Sequence, residues 1–273
     1  MRILSNARAA MTPLSKVLKL KSDGPGFSTE IPQDWTQGRT TFGGLLAAVA
    51  IRGLQTAAQG RPLRSFLMDY LSPTTPGALN VEVETLRVGR SLLHTRATLL
   101  QEGQTRAVLL GAFGEARDTK LRVDDNTAPK SDLPAEKLVR LPYIEGAMPA
   151  YTQHFDYRWT SQHGLFSGAP EGKLSGFVRA LDADRVDSAV IAALIDSFPP
   201  PVLTQLRAPA PASTVTWMVN FAHVRPGVSL HEFCRYESVT ISANGGYAGV
   251  DTRLWDNDGR LLADSRQLVA EFS

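Results

Sequence analysis

Residues 42–58 read FGGLLAAVAIRGLQTAA. Phe42, Leu45, Leu46, Val49 and Leu54 fall at helical spacing, with small Gly and Ala between them, so the stretch predicts a helix ending near Gly60-Arg61-Pro62. Beyond it the period changes from helical to alternating. LRSFLMDYL (63–71) is followed by Pro76-Gly77, then by ALNVEVETLRV (78–88). A turn at Gly89-Arg90-Ser91 leads to LLHTRATLLQ (92–101), and Glu102-Gly103 leads to TRAVLLGAFGEA (105–116). These runs predict four strands in an antiparallel meander after one helix.

The second half repeats the pattern. DADRVDSAVIAALID (182–196) puts Val186, Val190, Ile191 and Leu194 on one helical face, with Asp182 suited to the N-cap. STVTWMVNF (213–221), Pro226-Gly227, EFCRYESVTI (232–241), Asn244-Gly245-Gly246, YAGVDTRLW (247–255), Asp258-Gly259 and RLLADSRQLVAEF (260–272) follow in order. Met68 pairs with Met218, Pro76-Gly77 with Pro226-Gly227, Glu84 with Glu237, and Glu102-Gly103 with Asp258-Gly259, at spacings of 150 to 156 residues. An internal repeat of this size predicts two units of one design. Residues 1–117 form the first and 151–273 the second. Residues 118–150 link them, and 118–137 are rich in Asp, Thr, Pro, Ser and Lys. One unit alone leaves a sheet edge open, and pairing two units continues the sheet across it. The expected architecture is therefore α+β: two helices, each wrapped by an antiparallel sheet, joined as a pseudo-dimer.

Composition narrows the functional classes. The 273 residues are 43% hydrophobic and 21% charged, enough for substantial cores and wrong for a disordered chain. A formal net charge of +2 gives no electrostatic footprint for nucleic acid or an anionic membrane. The longest apolar run, near residues 42–51, is too short to span a bilayer, so no stable membrane insertion is expected. The single cysteine, Cys234, leaves no intrachain disulfide and fits a reducing compartment. The N-terminal stretch MRILSNARAAMTPLSKVLKL lacks the unbroken apolar centre of a secretory signal. It reads as an amphipathic lead-in whose Leu14, Val17, Leu18 and Leu20 pack on a core, with either Met1 or Met11 as start. A cytoplasmic protein is expected.

GRTTFGGLLAA (38–48), with Trp35 before it, resembles the first-repeat helix start of acyl-CoA thioesterases of the double hot-dog type II family. The second repeat is similar to that family at LIDSFPP (194–200), STVTWMVNF (213–221) and LLADSRQLVAEF (261–272). The resemblance spans residues 27–272. It implies the tandem double hot-dog fold, an acyl-CoA substrate, and an Asp, a Thr and a Gln that hold and activate the hydrolytic water. Carried onto this chain, these are Asp196, Thr214 and Gln267. The residues after Asp196, Ser-Phe-Pro-Pro-Pro, resemble the thioesterase-like branch of the family.

The chemistry asks for little more. A carboxylate accepts the proton of the attacking water, while a hydroxyl and an amide fix its direction. The developing oxyanion needs N–H donors, and Gly43-Gly44 at a helix start can supply them with the helix dipole behind. No metal or other cofactor is needed, and the sequence offers no ligand cluster: His94, His154, His163, His223 and His231 lack metal spacing and none lies in a Gly-x-Ser-x-Gly context. By the repeat offsets, Asp196 corresponds to Thr41 or Phe42, Thr214 to Arg64 and Gln267 to Gly111, so one site per chain is expected.

Each residue also has a plainer reading. Asp196 ends a helix, where its charge opposes the dipole, and fits an ordinary turn. Thr216 lies two residues from Thr214, hence on the same face of a regular strand. Gln267 on an edge strand would face solvent, and Gly43-Gly44 would serve helix–sheet packing. Trp35, Trp159, Trp217 and Trp255 read as core. The rival functions are a non-catalytic acyl-CoA or acyl-chain binding protein and a hot-dog hydratase, which needs a His near the Asp. Pairing of such pseudo-dimers into a homodimer or larger homo-oligomer is also expected.

Overall fold

The structure, a computed structural model, describes residues 11–121, 123, 127–131, 133–182, 186–222 and 232–273. The first repeat opens with α1 (Leu14–Val17), the hairpin β1 (Lys21–Asp23) and β2 (Gly26–Ile31), and the short pair β3 (Thr36–Gln37) and β4 (Thr40–Thr41). Next come α2 (Gly43–Ala57), β5 (Leu63–Tyr70), β6 (Gly77–Val88), β7 (Leu92–Gln101) and β8 (Gln104–Gly114). The second repeat comprises β9 (Arg140–Leu141), β10 (Phe155–Trp159), β11 (Lys173–Ala180), α3 (Ser188–Ile195), β12 (Ala212–Phe221), β13 (Cys234–Asn244), β14 (Tyr247–Trp255) and β15 (Leu261–Glu271). Leu14, Val17 and Leu18 of the lead-in are buried, as their spacing predicts.

Thirteen of these strands form one sheet in the order β1-β2-β6-β7-β8-β5-β12-β15-β14-β13-β11-β10-β9. The halves meet where β5 pairs antiparallel with β12, with Met68 opposite Trp217 and Leu67 opposite Met218. The edge that each repeat would otherwise expose is thereby covered. Helices α2 and α3 pack on each other, α2 against β6, β7 and β8, and α3 against β11, β14 and β15. Leu45, Val49 and Leu54 of α2 share one buried cluster with Ile191 and Leu194 of α3 and Trp217 of β12. Each such side chain contributes about 1.5–3 kcal/mol on full burial, so the two repeats are stabilised through a common core.

Several expectations need correction. The strands after α2 are not a meander of four: β6, β7 and β8 are, but β5 lies beyond β8. It must, because β5 supplies the edge that pairs with β12. Met68 and Met218 are not equivalent positions, since Met68 is 1% exposed and Met218 37%. A one-residue slip in register puts a side chain on the other face of a sheet. The N-cap of α3 is Asp187 rather than Asp182, because the helix begins only at Ser188, after an extended residue. Arg140 and Leu141, inside the stretch read as a linker, pair with Arg158 and Tyr157 as an edge strand. Pro226-Gly227 and residues 183–185 lie outside the described residues.

Asp187 holds two elements at once. Its Oδ1 accepts the backbone N–H groups of Ala189 at 3.0 Å and Val190 at 3.2 Å. Its Oδ2 lies 2.9 Å from Arg52 Nη2 on α2. Asp187→Ala is expected to cost about 1–2 kcal/mol, mostly from the cap. Urea unfolding checks this, and an unchanged midpoint would contradict the capping role.

Candidate active site

Helices α2 and α3 run in opposite directions. At one end of their contact Arg52 meets Asp187 and Gln55 Nε2 donates to Ser188 Oγ at 3.1 Å. At the other end the N-terminus of α2 meets Asp196, the residue that caps the C-terminus of α3. A carboxylate opposes the dipole of the helix it ends, but this one also sits at the positive end of the longer α2. The Gly44 backbone N–H donates to it directly. The antiparallel packing of the helices thus offsets the dipole objection raised by the sequence.

Gln267 supplies the second partner. Its Nε2 donates to Asp196 Oδ1 at 2.6 Å. Gln267 is 8% exposed, and β15 runs between β12 and β14, so it is neither on an edge strand nor turned to solvent. Burial pushes the Asp196 carboxyl up to about 7, while the bonds from Gln267 and Gly44 pull it down. A carboxyl so placed changes charge near neutral pH, where a general base works best.

The turn after Asp196 is clamped. Tyr151 Oη and Tyr157 Oη each donate to the Ser197 carbonyl at 3.0 Å. Ser197 Oγ donates to the Leu194 carbonyl at 2.7 Å. Phe198 stacks on Tyr236 with ring centroids 4.1 Å apart and planes 11° apart. Burial suppresses the acidity of Tyr70, Tyr151, Tyr157 and Tyr236, and the Asp196 charge adds to it, so all four hydroxyls are neutral donors or acceptors. The Ser-Phe-Pro-Pro-Pro segment therefore has a packing reason: it seats Phe198 among aromatic rings and starts a 3₁₀ turn at Pro201.

The glycines are where the chain leaves no room. A Cβ on Gly44 would lie 2.5 Å from Phe42 Cζ and 3.0 Å from Asp196 Cβ. One on Gly43 would lie 3.1 Å from Asp196 Oδ2 and 3.2 Å from Tyr70 Oη. Thr214 reaches the same face through a bulge. On β12, Thr214 pairs with Val269 and Thr216 with Leu268, so Val215 is an extra residue. Thr214 consequently shares a face with buried Val269 and with Gln267, two residues further along β15. Thr216 lies on the opposite face, beside Leu268 at 38% exposure. The ambiguity between the two threonines comes from assuming a regular strand.

The position that the repeat offsets match to Gln267 carries no side chain. Gly111 pairs with Phe66, and a Cβ there would lie 2.8 Å from Leu54 Cδ1, in the space a longer side chain would need. At the opposite end of the α2–α3 contact the charged group on α2 is Arg52. Its contact with Asp187 is an ion pair. His154 is buried and stacks on Trp35 at 4.0 Å, with Nε2 3.1 Å from the Asp34 carbonyl oxygen. Burial lowers its basicity, and it ties the two repeats together. His223 and His231 lie outside the described residues. The sequence reading missed Tyr70, Tyr151 and Tyr157. Their signal was a hydroxyl in otherwise core-like strands, which wants a partner when buried.

Two family models match: the acyl-CoA thioesterase N-terminal domain over residues 31–114 and the acyl-CoA thioesterase C-terminal domain over residues 128–270. No curated relative matches the sequence significantly. Among solved structures, a conserved protein of unknown function with hot dog fold from Alicyclobacillus acidocaldarius is similar at 22% identity and a TM-score of 0.85, covering 95% of this chain and 98% of that one. An acyl-CoA thioesterase II, TesB2, from Mycobacterium marinum is 16% identical with a TM-score of 0.74, covering 95% and 98%. At these identities the solved structures establish the fold, and no helix among the described residues is long and apolar enough to cross a membrane. With both halves matched in order along most of its length, the chain belongs to the acyl-CoA thioesterase family of paired hot-dog repeats.

Proposed function

We propose that the chain hydrolyses acyl-CoA thioesters to a free acid and CoA, with Asp196 as general base. The observation that carries this reading is the half-buried Asp196 carboxylate, held by Gln267 at the α2 N-terminus, where burial pushes it up to about 7. Gln267 binds Oδ1, and Oδ2 keeps a lone pair, beside any bond from Gly44, to take a proton from water. Thr214, on the same face, helps to direct that water. As the water oxygen bonds to the thioester carbon, its proton passes to Asp196 and negative charge gathers on the carbonyl oxygen. Gly44 donates its N–H to the carboxylate, so the oxyanion falls to the Gly43 N–H at the positive end of α2. Collapse breaks the C–S bond, and the departing thiolate takes the proton back from Asp196.

A thiol-release assay across short, medium, long and aromatic acyl-CoAs tests the proposal, run beside Asp196→Ala. Loss of a general base is expected to lower kcat by about 10²–10⁴-fold with folding retained. No release from any CoA while the same compounds still bind would leave an acyl-CoA binding protein instead.

A further inference from the structure

We propose that Tyr70 is a further catalytic residue of this site: its hydroxyl oxygen and Asp196 Oδ2 together hold the attacking water beside Gly43. The inference rests on the thioester-hydrolysis reading and adds to it a group on the first repeat. Tyr70 ends β5, the strand that joins the two halves, and its Oη donates to the Gly43 carbonyl at 3.0 Å. That bond commits the hydroxyl proton and leaves the oxygen lone pairs to accept. Oδ1 of Asp196 accepts from Gln267, and Oδ2, with two lone pairs, keeps one for water whichever oxygen the Gly44 N–H meets. Both Oδ2 and Tyr70 Oη lie within 3.2 Å of the place a Gly43 side chain would start. Both oxygens therefore border the same corner at Gly43, close enough together for one water to touch both.

A water held by both has one proton on each oxygen, and its lone pair points away from them. Gly43, Tyr70 and Asp196 are half-buried where Gly44 behind them is buried, so this corner is the more open side of the carboxylate. The proton balance follows. The proton aimed at Oδ2 moves to Asp196 as the C–O bond forms. The proton aimed at Tyr70 stays on the oxygen and becomes part of the product acid. Tyr70 itself gains and loses none; burial and the Asp196 charge keep it a neutral hydroxyl. The same geometry explains why position 43 is glycine, since a methyl there presses on both oxygens that hold the water.

Two variants separate this role from a brace for α2. Tyr70→Phe keeps the ring and deletes the acceptor. Gly43→Ala keeps the backbone carbonyl that Tyr70 binds but crowds the corner. Both are expected to lower kcat by about 10–100-fold, the scale of a lost hydrogen bond to the reacting water, with KM within twofold and the pH limb near 7 unmoved. Tm by circular dichroism is read alongside. Either variant turning over within twofold of the parent would overturn the role of Tyr70, as would a large rise in KM with kcat retained. A parent that releases no thiol from any acyl-CoA would sink the hydrolysis reading itself, a separate and prior failure.

Discussion

At pH 8.5, Asp196→Asn is expected to melt several degrees above the parent while releasing thiol at less than about a hundredth of its rate. The carboxyl titrates at about 7 in the folded chain, against about 3.9 for an aspartate in an unfolded one. The native state thus binds this proton more tightly than the unfolded state does. Its contribution to stability is complete below about pH 4 and is lost progressively as pH rises through 7. Above that, the folded protein carries a charge that burial disfavours, at a cost of the order of 2–4 kcal/mol. An asparagine has the same shape and no charge, and a neighbouring Gln267 can turn its amide to suit. The gain in Tm should shrink as pH falls below 7 and vanish near 4. Melting curves at pH 5 and 8.5 decide the matter. Coincident curves at pH 8.5 would mean that the carboxylate is solvated and the base ordinary. The parent's kcat/KM should rise with pH through about 7, because only the ionised carboxylate accepts a proton.

Gly44→Ala should damage both fold and activity, although alanine is the better helix former by about 1 kcal/mol. The new methyl would sit 2.5 Å and 2.8 Å from two carbons of the Phe42 ring, so that ring must move. Phe42 stacks on Tyr151 with centroids 4.0 Å apart and planes 3° apart, and it packs edge-on against Phe155. Tyr151 in turn holds the Ser197 carbonyl, next to Asp196. Overpacking of this kind costs about 1–3 kcal/mol. A displacement of the base by about 1 Å costs about 10²-fold in rate. The expected outcome is a lower urea midpoint together with a kcat reduced by about two orders of magnitude. A variant as stable and as fast as the parent would show that α2 and Asp196 do not pack as closely as described.

Much of this was legible in the residues, and the failures share a cause. Helical spacing in residues 42–58 and alternation in the runs that follow were enough for the elements, and their recurrence was enough for the tandem. Strand order was not legible, because nothing local to β5 says that it pairs with β8 and β12 rather than with β6. The Met68–Met218 match and the rivalry of Thr214 with Thr216 failed alike, by a single residue of register. The bulge at Val215 is set by pairing with β15, and its own sequence carries no mark of it. Asp196 and Gln267 were legible through resemblance, and the 2.6 Å bond between them only through the fold. Tyr70 was not, since its partner Gly43 is 27 residues away and the contact is to backbone.

The ladder between β5 and β12 has one more consequence. A site shared between separate subunits falls apart when the protein is diluted below their dissociation constant. Here Gly43 and Tyr70 come from one half and Asp196 and Gln267 from the other, but a single chain carries both. Their local concentration is set by the covalent connection rather than by how much protein is present. These four residues therefore stay together at any dilution that leaves the chain folded.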